Sequence, residues 1–350
     1  MSARKRVLVA EDSQTQRQLF ARCLGGRPEL VVVGQASDGE EAVRLVEDLA
    51  PDVVLMDLRM PRMDGLEATR RIMERRPTPI LLMSAADNLD SEVGLGMEAL
   101  AAGALDLIPK PDLGRLEGEA GEELVRRLVL LAGVPVIAHP GTGLNRLADR
   151  SRRRRSTAYF RRARRVVGIV ASTGGPRALQ EVLGNLPAGF RAAVVVVQHL
   201  DDAFAEGLVR WLDEHCPLPV TLAGDDQELF EGAAYLCPPG RYAELTERRC
   251  LHLYTAPVPR GGHCPSGDRL LSSLAQHYGA RGIGVVLTGM GDDGAAGLCA
   301  LRQAGGRTIA QDEGSSVIYG MPREAARRGG AARVLPLGDI AAALSEMVGA

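Results

Sequence analysis

Over residues 6–131, short apolar runs alternate with amphipathic stretches. The runs are Val7-Leu8-Val9-Ala10, Val31-Val32-Val33, Val53-Val54-Leu55-Met56, Ile80-Leu81-Leu82-Met83 and Leu105 to Ile108. Helical patterns separate them, and a last one spans roughly Glu119 to Leu131. Continuous apolar strands alternating with helices predict a parallel sheet covered on both faces. Five strands and five helices complete one doubly wound α/β domain.

From about Val134 to Arg165 this periodicity is lost. Pro135, Pro140, Gly141 and Gly143 precede an arginine run: Arg150, Arg152 to Arg155, Arg161, Arg162, Arg164 and Arg165. The stretch reads as an exposed interdomain linker. Strand–helix units resume at Val166, with strands expected at 166–171, 193–197 and 283–287. Between about Pro217 and Leu253 the pattern is short-ranged and rich in Pro and Gly. A β-hairpin or an irregular insert fits that stretch. The organisation is therefore a first α/β domain at 4–131, an Arg-rich linker at 132–164 and a second α/β domain at 165–348.

Composition narrows the function class. A chain of 350 residues has interior for two cores. Aromatic residues are only 3%, so both cores must be aliphatic. The net charge of −2 gives no whole-chain reason to expect nucleic acid or membrane surfaces. The cysteines (Cys23, Cys216, Cys237, Cys250, Cys264, Cys299) are scattered without a C-x-x-C pair, and read as reduced cytoplasmic thiols. No apolar stretch is long enough to span a bilayer, and the first strand begins by about Arg6, leaving no room for a signal peptide.

Candidate chemistry gathers at strand ends. The first strand runs into Glu11-Asp12, and the third ends at Asp57. In a doubly wound parallel sheet these points adjoin at the carboxyl edge. Three crowded carboxylates need a counter-ion, and an all-oxygen set favours Mg²⁺. Ser84 closes the fourth strand, and Lys110 follows the fifth with an ammonium able to neutralise a carboxylate or a phosphoryl group. Together with Ala36-Ser37-Asp38-Gly39-Glu40-Glu41-Ala42, these residues resemble a response-regulator receiver domain. The resemblance implies that Asp57 accepts a phosphoryl group from a histidine kinase. It further implies Mg²⁺ on Glu11, Asp12 and Asp57, with Ser84 and Lys110 sensing the modified state. One departure is Leu107, three residues before Lys110, where many receivers carry an aromatic switch residue.

In the second half, Val166 to Ala171 leads into Ser172-Thr173-Gly174-Gly175-Pro176. A serine at the end of a buried strand, before a glycine turn and a helix opened by proline, fits a nucleophile beside free helix N–H groups. Taken alone, the same turn equally fits a phosphate cradle or a purely structural bend. Two further strand ends supply His199 and the pair Asp292-Asp293, giving a base and an orienting carboxylate in the chain order Ser, His, Asp. The G-x-S-x-G elbow is absent, which excludes an ordinary α/β-hydrolase.

Ala171 to Gly175, Gln198-His199, His263-Cys264-Pro265-Ser266, Thr288 to Gly294 and Tyr319-Gly320-Met321-Pro322-Arg323 resemble the chemotaxis protein-glutamate methylesterases of the CheB type. The resemblance covers about residues 166–347 and implies a Rossmann-like catalytic domain behind the flavodoxin-like receiver. It makes Ser172 the nucleophile, His199 the general base and acid, and Asp293, which immediately precedes the glycine, the orienting carboxylate. Thr173, Gly174 and Met290 would line the site, with backbone N–H groups for the oxyanion. The implied substrates are glutamate methyl esters, and glutamines, on chemoreceptors. No cofactor is expected for the esterase reaction. The loop after His199 and Tyr242, where the family often has histidine, depart from the family pattern at positions expected to rim the pocket. Two other readings compete. One is a non-catalytic response regulator that binds a receptor or kinase. The other is a nucleic-acid effector acting through the arginine run, but no helix-turn-helix or base-reading motif accompanies that run.

Overall fold

In the computed structural model, residues 3–85, 89–111, 116, 118–136, 161–259 and 262–349 are described. The chain divides into two compact units, before and after residue 144. Most of the expected linker, 137–160 with Arg150 and Arg152 to Arg155, lies outside the described residues.

The first unit holds β1 (Lys5–Ala10), α1 (Gln14–Gly25), β2 (Leu30–Ala36), α2 (Gly39–Leu49), β3 (Val53–Asp57), α3 (Gly65–Arg75), β4 (Ile80–Ser84), α4 (Leu89–Ala101), β5 (Asp106–Pro109) and α5 (Glu119–Leu131). The strands are parallel in the order β2-β1-β3-β4-β5. Every residue of β3 and β4 is buried, which is why these strands read as unbroken apolar runs. Side-chain caps start the helices on the expected side: Asp38 accepts from Glu41 N before α2, and Asp64 from Glu67 N before α3. The chain reverses direction across the sheet between β1 and β3, so the loops after these strands part there and leave a crevice.

The second unit contains β6 (Val166–Ala171), α6 (Gly175–Gly184), β7 (Ala193–Gln198), α7 (Asp202–His215), β8 (Val220–Leu222), β9 (Gln227–Glu228), β10 (Ala234–Leu236), β11 (Tyr242–Leu245) and β12 (Cys250–Tyr254). It continues through α8 (Gly267–Tyr278), β13 (Gly282–Val286), α9 (Ala295–Gln303), β14 (Arg307–Gln311), α10 (Met321–Arg327), β15 (Arg333–Leu335) and α11 (Leu337–Gly349). Seven parallel strands form the sheet β15-β14-β13-β6-β7-β10-β8. Its switch point lies between β6 and β13. The core is aliphatic as the composition requires, with Val166, Val170, Val195, Val197, Leu270, Leu271, Leu274, Val286 and Leu298 in one cluster.

The 217–253 stretch turns out to be two things. β8 and β10 extend the parallel sheet, whereas β9, β11 and β12 make a small antiparallel sheet. Strands of two to five residues are too short to show a clear period, so the sequence pattern could not separate them. The expected linker also ends early. Ala163 is buried, its N–H donates to Leu229 O at 2.8 Å, and Arg162 bridges Phe230, so the chain is already part of this unit there.

Candidate functional site

In the first unit, oxygens of Glu11, Asp12 and Asp57 lie within 4.8 Å of one another at the carboxyl ends of β1 and β3. Glu11 and Asp57 are almost wholly buried, and Asp12 is exposed. Lys110 Nζ reaches in from the end of β5, 2.7 Å from Asp57 Oδ2 and 3.1 Å from Glu11 Oε2. One ammonium cannot balance two buried carboxylates. Burial, then the charge of Asp57, pushes Glu11 up to about 7 against the pull of Lys110. Burial likewise raises Asp57, with Lys110 opposing. Beyond its ion pair with Lys110, the buried Glu11 Oε2 accepts no hydrogen bond among the described residues. An all-oxygen donor set with surplus negative charge fits a hard divalent cation such as Mg²⁺. Ser84, buried at the end of β4, accepts Lys110 N on its carbonyl at 2.8 Å. Leu107 is buried beneath α4, where a Cβ on Gly96 would meet its Cδ2 at 2.6 Å.

The second unit gathers its polar groups around β6, β7 and β13. Ser172 follows β6 directly. Its N–H donates to Thr288 O at 3.0 Å, and its carbonyl accepts from Gly175 N at 2.7 Å and Gln198 Nε2 at 2.9 Å. Gly174 caps α6 at φ 77°, a conformation glycine adopts freely, and Pro176 sits in the first turn. His199 follows β7, with its N–H on Ala171 O at 3.0 Å. Its Nε2 lies 2.8 Å from Asp293 Oδ2. Asp293 also accepts from Gly267 N at 2.6 Å, Asp268 N at 3.0 Å and Ser266 Oγ at 3.1 Å. Burial works to raise the Asp293 pKa. The hydrogen bond and charge of His199, with the two backbone donors, overcome it and hold the group at about 2. Asp292 is exposed and pairs with Arg328 instead.

The turn after β13 presses on the serine: a Cβ on Gly289 would come within 2.7 Å of Ser172 Cβ. Thr173 O accepts from Thr288 Oγ1 at 3.0 Å. Among the described residues, neither the Gly174 N–H nor the Met290 N–H donates a hydrogen bond, so both remain for a ligand. Among the described residues, the Ser172 hydroxyl bonds to no side chain and the buried His199 Nδ1 has no hydrogen-bond partner. Nucleophile–base contacts commonly tighten only when substrate arrives.

The family model for CheB methylesterase matches residues 167–344, and that for the response regulator receiver domain matches residues 7–137. The chain belongs to the CheB methylesterase family. A relative from Anaeromyxobacter dehalogenans (strain 2CP-C), named protein-glutamate methylesterase/protein-glutamine glutaminase 2, is 44% identical over 98% of this chain and 96% of its own. A Myxococcus xanthus (strain DK1622) relative, named protein-glutamate methylesterase/protein-glutamine glutaminase 3, is 42% identical over 91% of this chain and 87% of its own. The solved CheB methylesterase catalytic domain of Thermotoga maritima superposes with a TM-score of 0.51 at 35% identity, over 52% of this chain and 98% of that one.

In this CheB family member several groups around the site, some of them quoted above as motif residues, had been given no role from the sequence. Ser266, Gly267 and Asp268 form the cradle of Asp293. Their signal was present, since Ser266 followed by an apolar-periodic run is a helix N-cap pattern, and Ser266 Oγ does accept Arg269 N. Gln198 and Gln311 are polar residues closing apolar strands; both are buried, and Gln311 Oε1 accepts Thr288 N at 2.8 Å. Tyr242 lies beneath the Arg269 guanidinium, 4.2 Å from the ring centroid, and lines a cavity of about 150 Å³ with Pro259, His263, Ser266 and Asp293. Tyr242 thus lines a cavity beside the carboxylate while itself almost wholly buried.

Proposed function

We propose that this CheB family chain is a phosphorylation-regulated serine hydrolase. It removes methyl groups from glutamate methyl esters on chemoreceptors and deamidates glutamines by the same route. One observation carries the reading: a His199–Asp293 pair with a buried carboxylate beside Ser172 at one sheet edge, with the Gly174 and Met290 N–H groups unpaired among the described residues. The names and full-length similarity of the relatives support the substrate class.

The steps follow from the atoms. Because Nε2–H serves Asp293, Nδ1 is the nitrogen able to take a proton. Ser172 Oγ attacks the ester carbonyl carbon while its proton passes to His199 Nδ1. The N–H groups of Met290 and of the Thr173-Gly174 turn would hold the tetrahedral oxyanion. Collapse breaks the carbon–methoxy bond, and His199 returns the proton so that methanol leaves. Water then gives a proton to Nδ1 and attacks the acyl-enzyme, releasing glutamate and regenerating Ser172. A glutamine substrate follows the same path with ammonia as leaving group. The depressed Asp293 stays ionised throughout and stabilises the imidazolium.

In the receiver, Asp57 would accept a phosphoryl group from a histidine kinase. Mg²⁺ held by Glu11, Asp12 and Asp57 would neutralise the crowded oxygens during transfer. Lys110 and Ser84 would read the modified aspartate. The partners of such a system point to the cytoplasm, and among the described residues no helix is long and apolar enough to cross a membrane.

The test is methanol release from methylated receptor membranes. Wild type should release methanol, more so with a small phosphodonor and Mg²⁺, and Ser172→Ala should release none. Equal release by both proteins would remove Ser172 from the reaction. A binding module would release none under any condition and would leave a serine-directed fluorophosphonate unreacted.

A further inference from the structure

The reaction above gives no role to His263, in the segment leading into α8. Its ring lies flat on that of His199, with centroids 4.1 Å apart and planes 11° from parallel. Among the described residues the His199 ring is otherwise held at one atom, Nε2 on Asp293 Oδ2, while the buried Nδ1 has no hydrogen-bond partner. An imidazole held at one atom can still tilt about that contact, because its terminal torsion has a broad well. A parallel ring against one face stops the tilt. Rotation out of plane would forfeit the dispersion contact and drive one ring into the other.

We propose that His263 is a positioning residue for the base: its stacked ring fixes the imidazole plane of His199, so that Nε2–H stays on Asp293 while Nδ1 stays available to the Ser172 proton. The inference rests on the serine-hydrolase reading of Ser172, His199 and Asp293. The supporting segment is itself anchored. Gly240 N donates to Cys264 O at 3.2 Å, and Ser266 Oγ bonds Asp293 Oδ1 at 3.1 Å. Four consecutive residues thus begin with the ring on the base and end with a hydroxyl on its carboxylate. The turn that carries Met290 is also near, for a Cβ on Gly291 would stand 4.0 Å from His263 Nε2. Asp268, Arg269, Asp292 and Asp293 line the same cavity as His263. The stack is a contact between faces and needs no charge on His263, so an apolar ring can replace it.

The experiment compares full-length wild type, His263→Ala, His263→Phe and Ser172→Ala. Three properties are read: the rate of fluorophosphonate labelling, kcat and KM for methanol release, and the ¹⁵N shifts of the His199 ring. Wild-type labelling that disappears in Ser172→Ala tests the nucleophile by itself, so the two readings fail separately. His263→Ala should slow labelling and kcat by roughly 10- to 100-fold, with KM changed less than about twofold. Its His199 shifts should move from one Nε2–H tautomer toward a mixture. His263→Phe keeps a stacking face and should recover labelling and kcat to within about threefold of wild type. A His263→Phe protein as slow as His263→Ala would overturn the proposal, because the ring nitrogens and not the face would then be required. Wild-type labelling by His263→Ala would overturn it equally.

Discussion

Among the described residues, the Asp293 carboxylate is hydrogen-bonded by His199 Nε2, Ser266 Oγ and the N–H groups of Gly267 and Asp268. Two of the donors are backbone groups at the start of α8, where the helix dipole also favours a negative charge. With its pKa held near 2 against an ordinary 3.8, the ionised group stabilises the fold wherever it is charged. That contribution is fully present above about pH 4 and is lost as pH falls through about 2. The gap corresponds to about 2 kcal/mol. Asp293→Asn should therefore be less stable than wild type by about that amount at pH 6, and the difference should close between pH 4 and pH 2 in urea titrations. Its turnover should fall on the order of 10³-fold or more, because an amide cannot hold Nε2–H and stabilise the imidazolium. A stability gap that stays constant with pH would mean that the charge is not what matters.

At the scale of elements, α8 and α9 cap each other. Gly294 opens α9 at φ 88° and has no side chain to offer its free N–H groups. Asp268, in the first turn of α8, supplies the acceptor, with Oδ1 2.7 Å from Gly297 N. In return Asp293, on the loop before α9, caps α8. The two helices also pack tightly, for a Cβ on Gly297 would come 2.7 Å from Asp268 O. Loss of the Asp268 cap should cost about 1–2 kcal/mol in Asp268→Ala and lower turnover through a loosened Asp293. Asp268→Asn keeps an acceptor oxygen and should recover most of both, read by urea unfolding and methanol release. This coupling was not legible in the sequence. A cap between two helices depends on how they pack, and Asp268 lies 29 residues from Gly297. The strands were legible because both sheets are parallel and buried on both faces, so Val166 to Ala171 and Ala193 to Val197 carry no polar interruption. The same regularity put Ser172, His199, Glu11 and Asp57 at strand ends before any coordinates, since open α/β sheets expose those ends at the switch point. His263 and Gln198 escaped because their roles depend on which face of a ring or which carbonyl they meet in space.

For the molecule as a whole, the question is how a change at Asp57 becomes a change at Ser172. In the unmodified receiver the Lys110 ammonium is committed to Asp57 and Glu11. On the proposed reading, phosphorylation would turn the Asp57 carboxylate into an acyl phosphate beside the ammonium, and Lys110 would re-pair with phosphoryl oxygens. Its backbone N–H is bonded to Ser84 O, which links the ends of β4 and β5 and lets both follow that movement. Leu107 has no ring to swing and is packed against Gly96 of α4, so the displacement has to travel through backbone and aliphatic packing. A tenfold activation needs a bias of only about 1.4 kcal/mol between resting and active populations, well within the reach of one re-paired buried charge. Two variants separate acceptance of the phosphoryl group from its readout. Asp57→Ala should neither take up label from a phosphodonor nor respond to it, while keeping basal methanol release. Lys110→Ala should take up label at Asp57 yet show little activation, because the modified carboxylate has lost the group that reports it. Full activation in Lys110→Ala would move the readout away from the ammonium and onto the hydroxyl of Ser84.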